Sequence, residues 1–294
     1  MRIGVLLLPH IAPRDAMARA AELEAMGFDH LWTYDHLAWR RFADGPWHAV
    51  YPWLTAVATA TERIRLGTMV ASPNVRHPVV LAKDVLTLDH VSDGRVTLGI
   101  GAGGTGIDHR VLGQEPLSPR QRADRFEEWA SMLDRLLRGD TSDHTGEWFS
   151  SVDARMQPGC VQEPRVPLAI AAAGPRLLRY AADHADAWIT EGDRRGPEPD
   201  RSAAGTEAAV QWQWARIEEQ CAETGRDPAT IDRILLAGNT DERPLESIDA
   251  FEDYVGRYAA LGITDIVVHH PVAGDPMWDQ PVEVLDEIAD RFLS

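Results

Sequence analysis

Asp35 and His36 lie in the stretch "YDHLAWRRFADGPWH", with Tyr34, Trp39, Phe42 and Trp47 around them. Histidine is the side chain that exchanges a proton near neutral pH, and a neighbouring carboxylate can set its position and charge. Aromatic residues on both sides can form the wall of a pocket for a flat ligand. Taken alone, the same residues also fit a plainer arrangement, in which Asp35 caps local backbone, His36 is a partly buried loop residue and the aromatics are core.

Three further stretches carry chemical potential. "LGTMVASPNVRHP" (Leu66–Pro78) runs from an apolar strand into small residues and then Arg76-His77-Pro78, and it also reads as a strand closing in a turn at Pro73-Asn74. "GRVTLGIGAGGTGIDH" (Gly94–His109) concentrates glycine, which lets backbone approach a ligand and expose N–H groups to it. No helix is expected promptly after it, so it fails the context of a dinucleotide fingerprint, and an ordinary loop is an equal reading. "PLAIAAAGPRLLRYAADHADAWITEG" (Pro167–Gly192) feeds a strand through Ala173-Gly174-Pro175 into a helix. The free N–H groups and dipole of such a start suit an anion, while a tight connection needing glycine for geometry explains it as well.

Other chemistries lack their residues. His269 and His270 are adjacent, so on a strand they point to opposite faces and cannot readily share a metal ion. There is no GxSxG elbow, and Cys160 and Cys221 form neither a CxxC nor a nucleophile–histidine pattern. No metal is expected.

These residues must be positioned by the rest of a 294-residue chain that is 44% hydrophobic. Short β-rich runs alternate with longer amphipathic ones. Strands are predicted at Arg2–Leu8, His30–Tyr34, Arg65–Ala71, Arg95–Ile100, Pro167–Ala172, Ala187–Thr190, Arg233–Ala237 and Asp265–His269. Helices are predicted at Arg14–Met26, Tyr51–Thr61, Pro78–Val91, Pro119–Leu137, Pro175–His184, Thr206–Thr224, Ile248–Leu261 and Pro281–Phe292. Gly27 and Gly262 follow their helices as left-handed stops, and Pro119 and Pro281 occupy first turns. Eight strand–helix alternations are the arithmetic of a (β/α)8 barrel, whose chemistry gathers at the carboxyl ends of the strands. One α/β domain over 1–294 is expected, with a hairpin-like insertion at about 142–166 between the fourth helix and fifth strand. A Pro/Gly-rich loop at about 191–205 is expected to be mobile.

Composition narrows the partners. The formal net charge of −17 disfavours nucleic acid and anionic membrane, which require concentrated positive charge. Apolar runs such as Ile3–Leu8 are too short to span a bilayer, and the start has no secretory pattern. With two cysteines and no such signals, a cytoplasmic setting is expected.

The four stretches, in this order and at these gaps, resemble the bacterial-luciferase-like superfamily of flavin- and deazaflavin-dependent oxidoreductases. The likeness is strong over about residues 1–192. It implies a single TIM barrel holding an isoalloxazine or deazaisoalloxazine ring at the carboxyl end. By resemblance Asp35 contacts the ring region and His36 is the acid/base or substrate hydrogen-bonder. A non-prolyl cis peptide is implied at Met69–Val70, backing the ring. The turns Gly101-Ala102-Gly103-Gly104 and Ala173-Gly174-Pro175 would approach the ribityl chain and phosphate, and Trp39 and Trp47, with Trp53 as a third candidate, would line the substrate pocket. Members that oxidise a sugar phosphate place a carboxylate in the glycine loop. Here that position is Gly104, with Asp108 the nearest acid, so an uncharged or weakly polar substrate is expected. Coenzyme F420 is favoured as hydride carrier. FMN is the alternative and would imply a monooxygenase served by a flavin reductase. A non-catalytic flavin-binding barrel is the alternative from another class, suggested by the sparse titrating groups. A homodimer is implied by resemblance.

Overall fold

The computed structural model describes residues 1–193, 198–238 and 240–293. Chain order runs β1 (Arg2–Leu6), α1 (Pro13–Met26), β2 (His30–Thr33), α2 (Val50–Thr59), β3 (Arg65–Thr68), α3 (Pro78–Val91), β4 (Val96–Ile100), α4 (Ile107–Val111) and α5 (Pro119–Leu137). It continues through β5 (His144–Thr145), β6 (Ser150–Ser151), β7 (Leu168–Ala171), α6 (Pro175–His184), β8 (Ala187–Thr190), α7 (Ala203–Thr224), β9 (Asp232–Leu236), α8 (Ile248–Ala260), β10 (Asp265–His269) and α9 (Val284–Ile288). The strands β1-β10-β9-β8-β7-β4-β3-β2 close into a barrel, the expected (β/α)8 architecture. Their residues are almost all buried, as strands covered by helices on one face and packed inside the barrel on the other must be.

The helix boundaries follow local chemistry. Ser118 caps α5 in a reciprocal box with Gln121, and Pro119 opens its first turn. His77 caps α3 ahead of Pro78. Several predicted strands run one to three residues too long, because the chain leaves the ladder where it enters the functional loops. The predicted strand Arg65–Ala71 stops at Thr68, and a cis peptide follows at Met69–Val70, at the position the resemblance implied. Ala71 then makes a single bridge to Ile100. The glycine run is followed at once by α4, with Gly106 as its N-cap, which corrects the expectation that no helix follows promptly. Five residues are too few for periodicity to reveal it. Of the predicted loop at 191–205, residues 203–205 form the first turn of α7, capped by Ser202, and residues 194–197 lie outside the described residues.

The chain divides into two compact units, Leu8–Ala21 with Thr33–Leu168, and Met1–Leu7 with Glu22–Trp32 and Ala169–Ser294. In the first, the insertion forms the small antiparallel pair β5–β6, with His144 opposite Ser151. It is tied down by two helix-borne carboxylates. Glu128 of α5 accepts the backbone N–H groups of Glu147, Trp148 and Phe149. Asp89 of α3, fully buried, accepts those of Val161 and Gln162 together with the Gln162 amide.

In the second unit a polar cluster joins the first residues of four strands. The Asp265 carboxylate receives Arg2 Nε and Nη2 at 2.7 Å each, Thr264 Oγ1 at 2.6 Å and His30 Nε2 at 3.1 Å. His30 Nδ1 accepts Trp32 Nε1 at 2.7 Å, and Arg2 also reaches Asp232 at 2.6 Å. Burial pushes the Asp265 carboxyl up, but the hydrogen bonds from His30 and Arg2 outweigh it and hold the group at about 2. Gly4 is required beneath this cluster, since a Cβ there would stand 1.8 Å from His30 Nδ1. Among the described residues no helix is long and apolar enough to cross a membrane.

Candidate active site

The described site residues of the first unit descend from the ends of three neighbouring strands. Past β2 the chain places Asp35 inside, 1% exposed, where the Arg76 guanidinium grips it with Nε–Oδ2 at 3.0 Å and Nη2–Oδ1 at 2.8 Å. Arg76 also covers the Tyr51 ring at 4.9 Å, and its carbonyl accepts Trp129 Nε1 at 2.8 Å. Burial opposes the Arg76 charge, yet the hydrogen bond and charge of Asp35 keep the group above its ordinary value. Removing either partner would strand a buried charge.

This corrects the expected pairing of Asp35 with His36. Both Asp35 oxygens are occupied by Arg76, and the partner of His36 is Asp108, on the short helix after the glycine run. His36 Nδ1 meets Asp108 Oδ2 at 2.6 Å, and the other oxygen, Oδ1, accepts the Leu37 backbone N–H at 2.8 Å. The Asp108 side chain is 5% exposed and that of His36 is 25% exposed. The histidine therefore keeps one edge accessible, and its Nε2 has no hydrogen-bond partner among the described residues. The sequence signal for Asp108 was its place as the acid nearest the glycine loop. Its partner lies 72 residues away, beyond the reach of any local pattern.

Aromatic residues frame the imidazole. Trp39 stacks on it with centroids 4.4 Å apart and planes 23° apart, and Tyr34 meets it edge-on at 6.1 Å. Trp47 donates Nε1 to the His36 carbonyl at 2.9 Å and lies 6.1 Å from the Phe42 ring. Trp39 and Trp47 are thus assembled next to His36, as the sequence suggested. Trp53 is not. It is 1% exposed within α2 and donates to the Ile11 carbonyl at 3.0 Å, a core residue rather than a pocket wall.

The loops after β3 and β4 are stitched together. Gly101 N–H donates to the Ala71 carbonyl at 3.0 Å, so the segment after the Met69–Val70 peptide lies alongside the start of the glycine run Gly101–Gly104. Gly103 adopts φ +71°, and a Cβ there would come within 2.5 Å of the Asn74 amide. Asn74 donates to the Gly104 carbonyl at 2.9 Å and accepts from Arg125 of α5. Asn74 and Arg125 escaped the sequence reading, in which Asn74 was only a turn residue. Burial, with Arg122 nearby, pushes the Arg125 guanidinium below its ordinary value.

Among the described residues, the polar atoms buried here without a hydrogen-bond partner include Thr33 Oγ1, Trp39 Nε1 and Arg125 Nε. Buried polar groups are normally satisfied, so such a set fits a ligand carrying its own donors and acceptors. The glycine turn and the stacked imidazole and indole fit a flat one. In the other unit, Gly174 caps α6 with Pro175 at its first turn, and no side chain satisfies that end of the helix. A Cβ at Gly174 would meet nothing within 4 Å, so the turn Ala173–Pro175 leaves its backbone approachable.

The profile of the luciferase-like monooxygenase family matches residues 1–262. An F420-dependent glucose-6-phosphate dehydrogenase of Beutenbergia cavernae is 31% identical over 96% of this chain and 93% of its own length. A 4-hydroxyprotoasukamycin monooxygenase of Streptomyces nodosus subsp. asukaensis is 32% identical over 81% of this chain and 63% of its own. Among solved structures, an F420-dependent secondary alcohol dehydrogenase in complex with an F420-acetone adduct superimposes with a TM-score of 0.80, covering 98% of this chain and 97% of that one. At 19% identity that likeness is one of fold.

Proposed function

Because the chain belongs to the luciferase-like monooxygenase family, we propose that it is an oxidoreductase that exchanges a hydride between coenzyme F420 and a small organic substrate. The observation that carries the reading is His36, held through Nδ1 by Asp108 at 2.6 Å, stacked on Trp39 and open at Nε2. Names among the full-length relatives support F420 over FMN.

When bound, F420 supplies a ring carbon that takes or gives a hydride, with little reactivity toward oxygen. The protein's part is binding, orientation and one proton. Met69–Val70 would back the ring together with Asp35, which the Arg76 pair fixes in place, and the turn Gly101, Ala102, Gly103 and Gly104 would approach the ribityl chain and phosphate. Taken by itself, the α6 start at Ala173, Gly174 and Pro175 in the other unit leaves backbone N–H groups suited to a phosphate, and in the first unit Arg125 is a cation suited to an acidic group. His36 Nε2 would take the proton from an alcohol hydroxyl as the carbon gives up its hydride, leaving a carbonyl product. In the reverse direction it would return that proton. Asp108 removes the ground for a non-catalytic barrel, because the site holds an acid that the glycine loop itself lacks.

Trp39 and Trp47 beside His36 support an uncharged or weakly polar substrate, and Gly104 in place of a loop carboxylate supports one other than a sugar phosphate. We extend the reading to a homodimer in the cytoplasm with no nucleic-acid or membrane partner. Titration with F420 and with FMN, each oxidised and reduced, tests the cofactor through quenching of tryptophan fluorescence. Saturable binding of F420 with weaker FMN binding is expected. Preference for reduced FMN would favour a monooxygenase supplied by a flavin reductase, in line with the Streptomyces relative's name. Binding of neither would remove the reading.

A further inference from the structure

We propose that Asp108 is a positioning residue that sets which nitrogen of His36 carries the proton, leaving Nε2 as the acceptor for the substrate's hydroxyl proton. The inference rests on the reading of His36 as the proton-transfer group, and its geometry belongs to this chain. A carboxylate accepts hydrogen bonds and donates none. Asp108 Oδ1 is committed to the Leu37 N–H at 2.8 Å, so Oδ2, 2.6 Å from His36 Nδ1, faces a ring nitrogen that must bring its own hydrogen. The neutral imidazole therefore carries Nδ1–H and presents a bare Nε2. Asp108 is 3% exposed, so the short contact works out of competition with water.

The surroundings fix the ring as well as its proton. Trp39 stacks on one face, and Trp47 holds the His36 carbonyl while Asp108 holds the next N–H. The backbone on which the ring is mounted is thus hydrogen-bonded on both sides of the 36–37 peptide. With Gly104 in the loop, Asp108 sends its carboxylate to the histidine, and one proton-transfer unit serves the site. That suits a reaction in which a single hydroxyl proton leaves as a hydride leaves carbon, the interconversion of an alcohol and a carbonyl. The carbon's C–H electron pair would leave with the hydride to bound F420, the hydroxyl proton would go to Nε2, and the C–O bond would become C=O.

The sharpest test is Asp108→Asn, because Leu37 dictates how the amide must lie. The Leu37 N–H is a donor, so the asparagine oxygen must face it and the amide NH2 must face His36 Nδ1. Nδ1 then becomes the acceptor and the proton moves to Nε2, where it blocks proton uptake. Nitrogen-15 NMR of histidine-labelled, cofactor-free protein, at a pH where the ring is neutral and with His36→Gln for assignment, reads the tautomer directly. The expected result is an Nδ1–H tautomer in the wild type and an Nε2–H tautomer in the variant. Alongside it, kcat for alcohol oxidation should fall by about 10²-fold or more with KM little changed. An Nε2–H tautomer in the wild type, no change on substitution, or a reversed tautomer with unaltered kcat would each overturn the assignment. If Asp108→Asn does not fold, Asp108→Ala replaces it, and a His36 that stays wholly Nδ1–H there overturns the assignment too. Failure of F420 to bind shows in the fluorescence titration and refutes the cofactor reading, whereas the tautomer experiment judges Asp108 without any cofactor present.

Discussion

Among the described residues two histidine–aspartate pairs, His30–Asp265 and His36–Asp108, are built from the same two groups and finished in opposite ways. His30 uses both ring nitrogens, Nδ1 accepting from Trp32 and Nε2 donating to Asp265, and its side chain is 6% exposed. His36 uses Nδ1 alone and remains 25% exposed. Asp265 is crowded with Arg2, Thr264 and His30, whereas Asp108 spends its oxygens on one ring and one backbone N–H. The hydrogen-bond partners require opposite neutral tautomers, Nε2–H in His30, whose Nδ1 accepts from Trp32, and Nδ1–H in His36, which donates to Asp108. A saturated pair fastens strand starts together. An unsaturated pair has a nitrogen left for a substrate.

The contrast can be broken from the His36 side first. His36→Ala should lower kcat by about 10²–10⁴-fold, the usual scale for a general acid–base, while F420 affinity from fluorescence quenching stays near the wild type. A comparable loss from His30→Ala without unfolding would erase the distinction drawn here.

On the structural side, Asp265→Asn should cost about 3–5 kcal/mol in urea unfolding at neutral pH, because Arg2 and His30 lose their shared counter-ion. Its acid behaviour sharpens the point. With the folded-state value held at about 2, below the unfolded carboxylate value of 3.8, the wild type keeps this stabilisation above pH 4. It loses it as pH falls from there through about 2, an expected drop of about 2 kcal/mol. The Asn variant should lack that segment of the curve, and an identical acid limb in both proteins would exclude Asp265 as its source.

The smallest effect is expected at Trp47→Phe, which removes the indole N–H from the His36 carbonyl and should cost about 1 kcal/mol of stability. Turnover should fall only modestly if Asp108 and Trp39 hold the ring, and a loss as deep as that of His36→Ala would place Trp47 in the chemistry.

Where elements carry their own punctuation, the sequence was readable to the residue. Pro78–Val91, Pro119–Leu137 and Pro175–His184 match their predicted bounds because each begins at a proline in a first turn. The ends of β1, β2, β3 and β7 were placed too far along, because apolar residues continue beyond the last ladder bond. Within the site, residue types were legible and pairings were not. Asp35 stands beside His36 in sequence, which suggested a dyad, but Arg76, 41 residues on, offers a fork that fits both of its oxygens. Arg125 gave no sign in the sequence, since a helical arginine three positions after Arg122 reads as a solvated face.

The two bonds on the 36–37 peptide, from Trp47 to its carbonyl and from its N–H to Asp108, also have a thermal consequence. Fixing a residue's backbone costs about 1–2 kcal/mol of conformational entropy. For His36 that cost is met when the chain folds, so little of it recurs at each encounter with substrate. Turnover should then depend on temperature chiefly through enthalpy. Loosening either bond would return an entropic share to the barrier, detectable in an Eyring plot even where the room-temperature rate is scarcely altered.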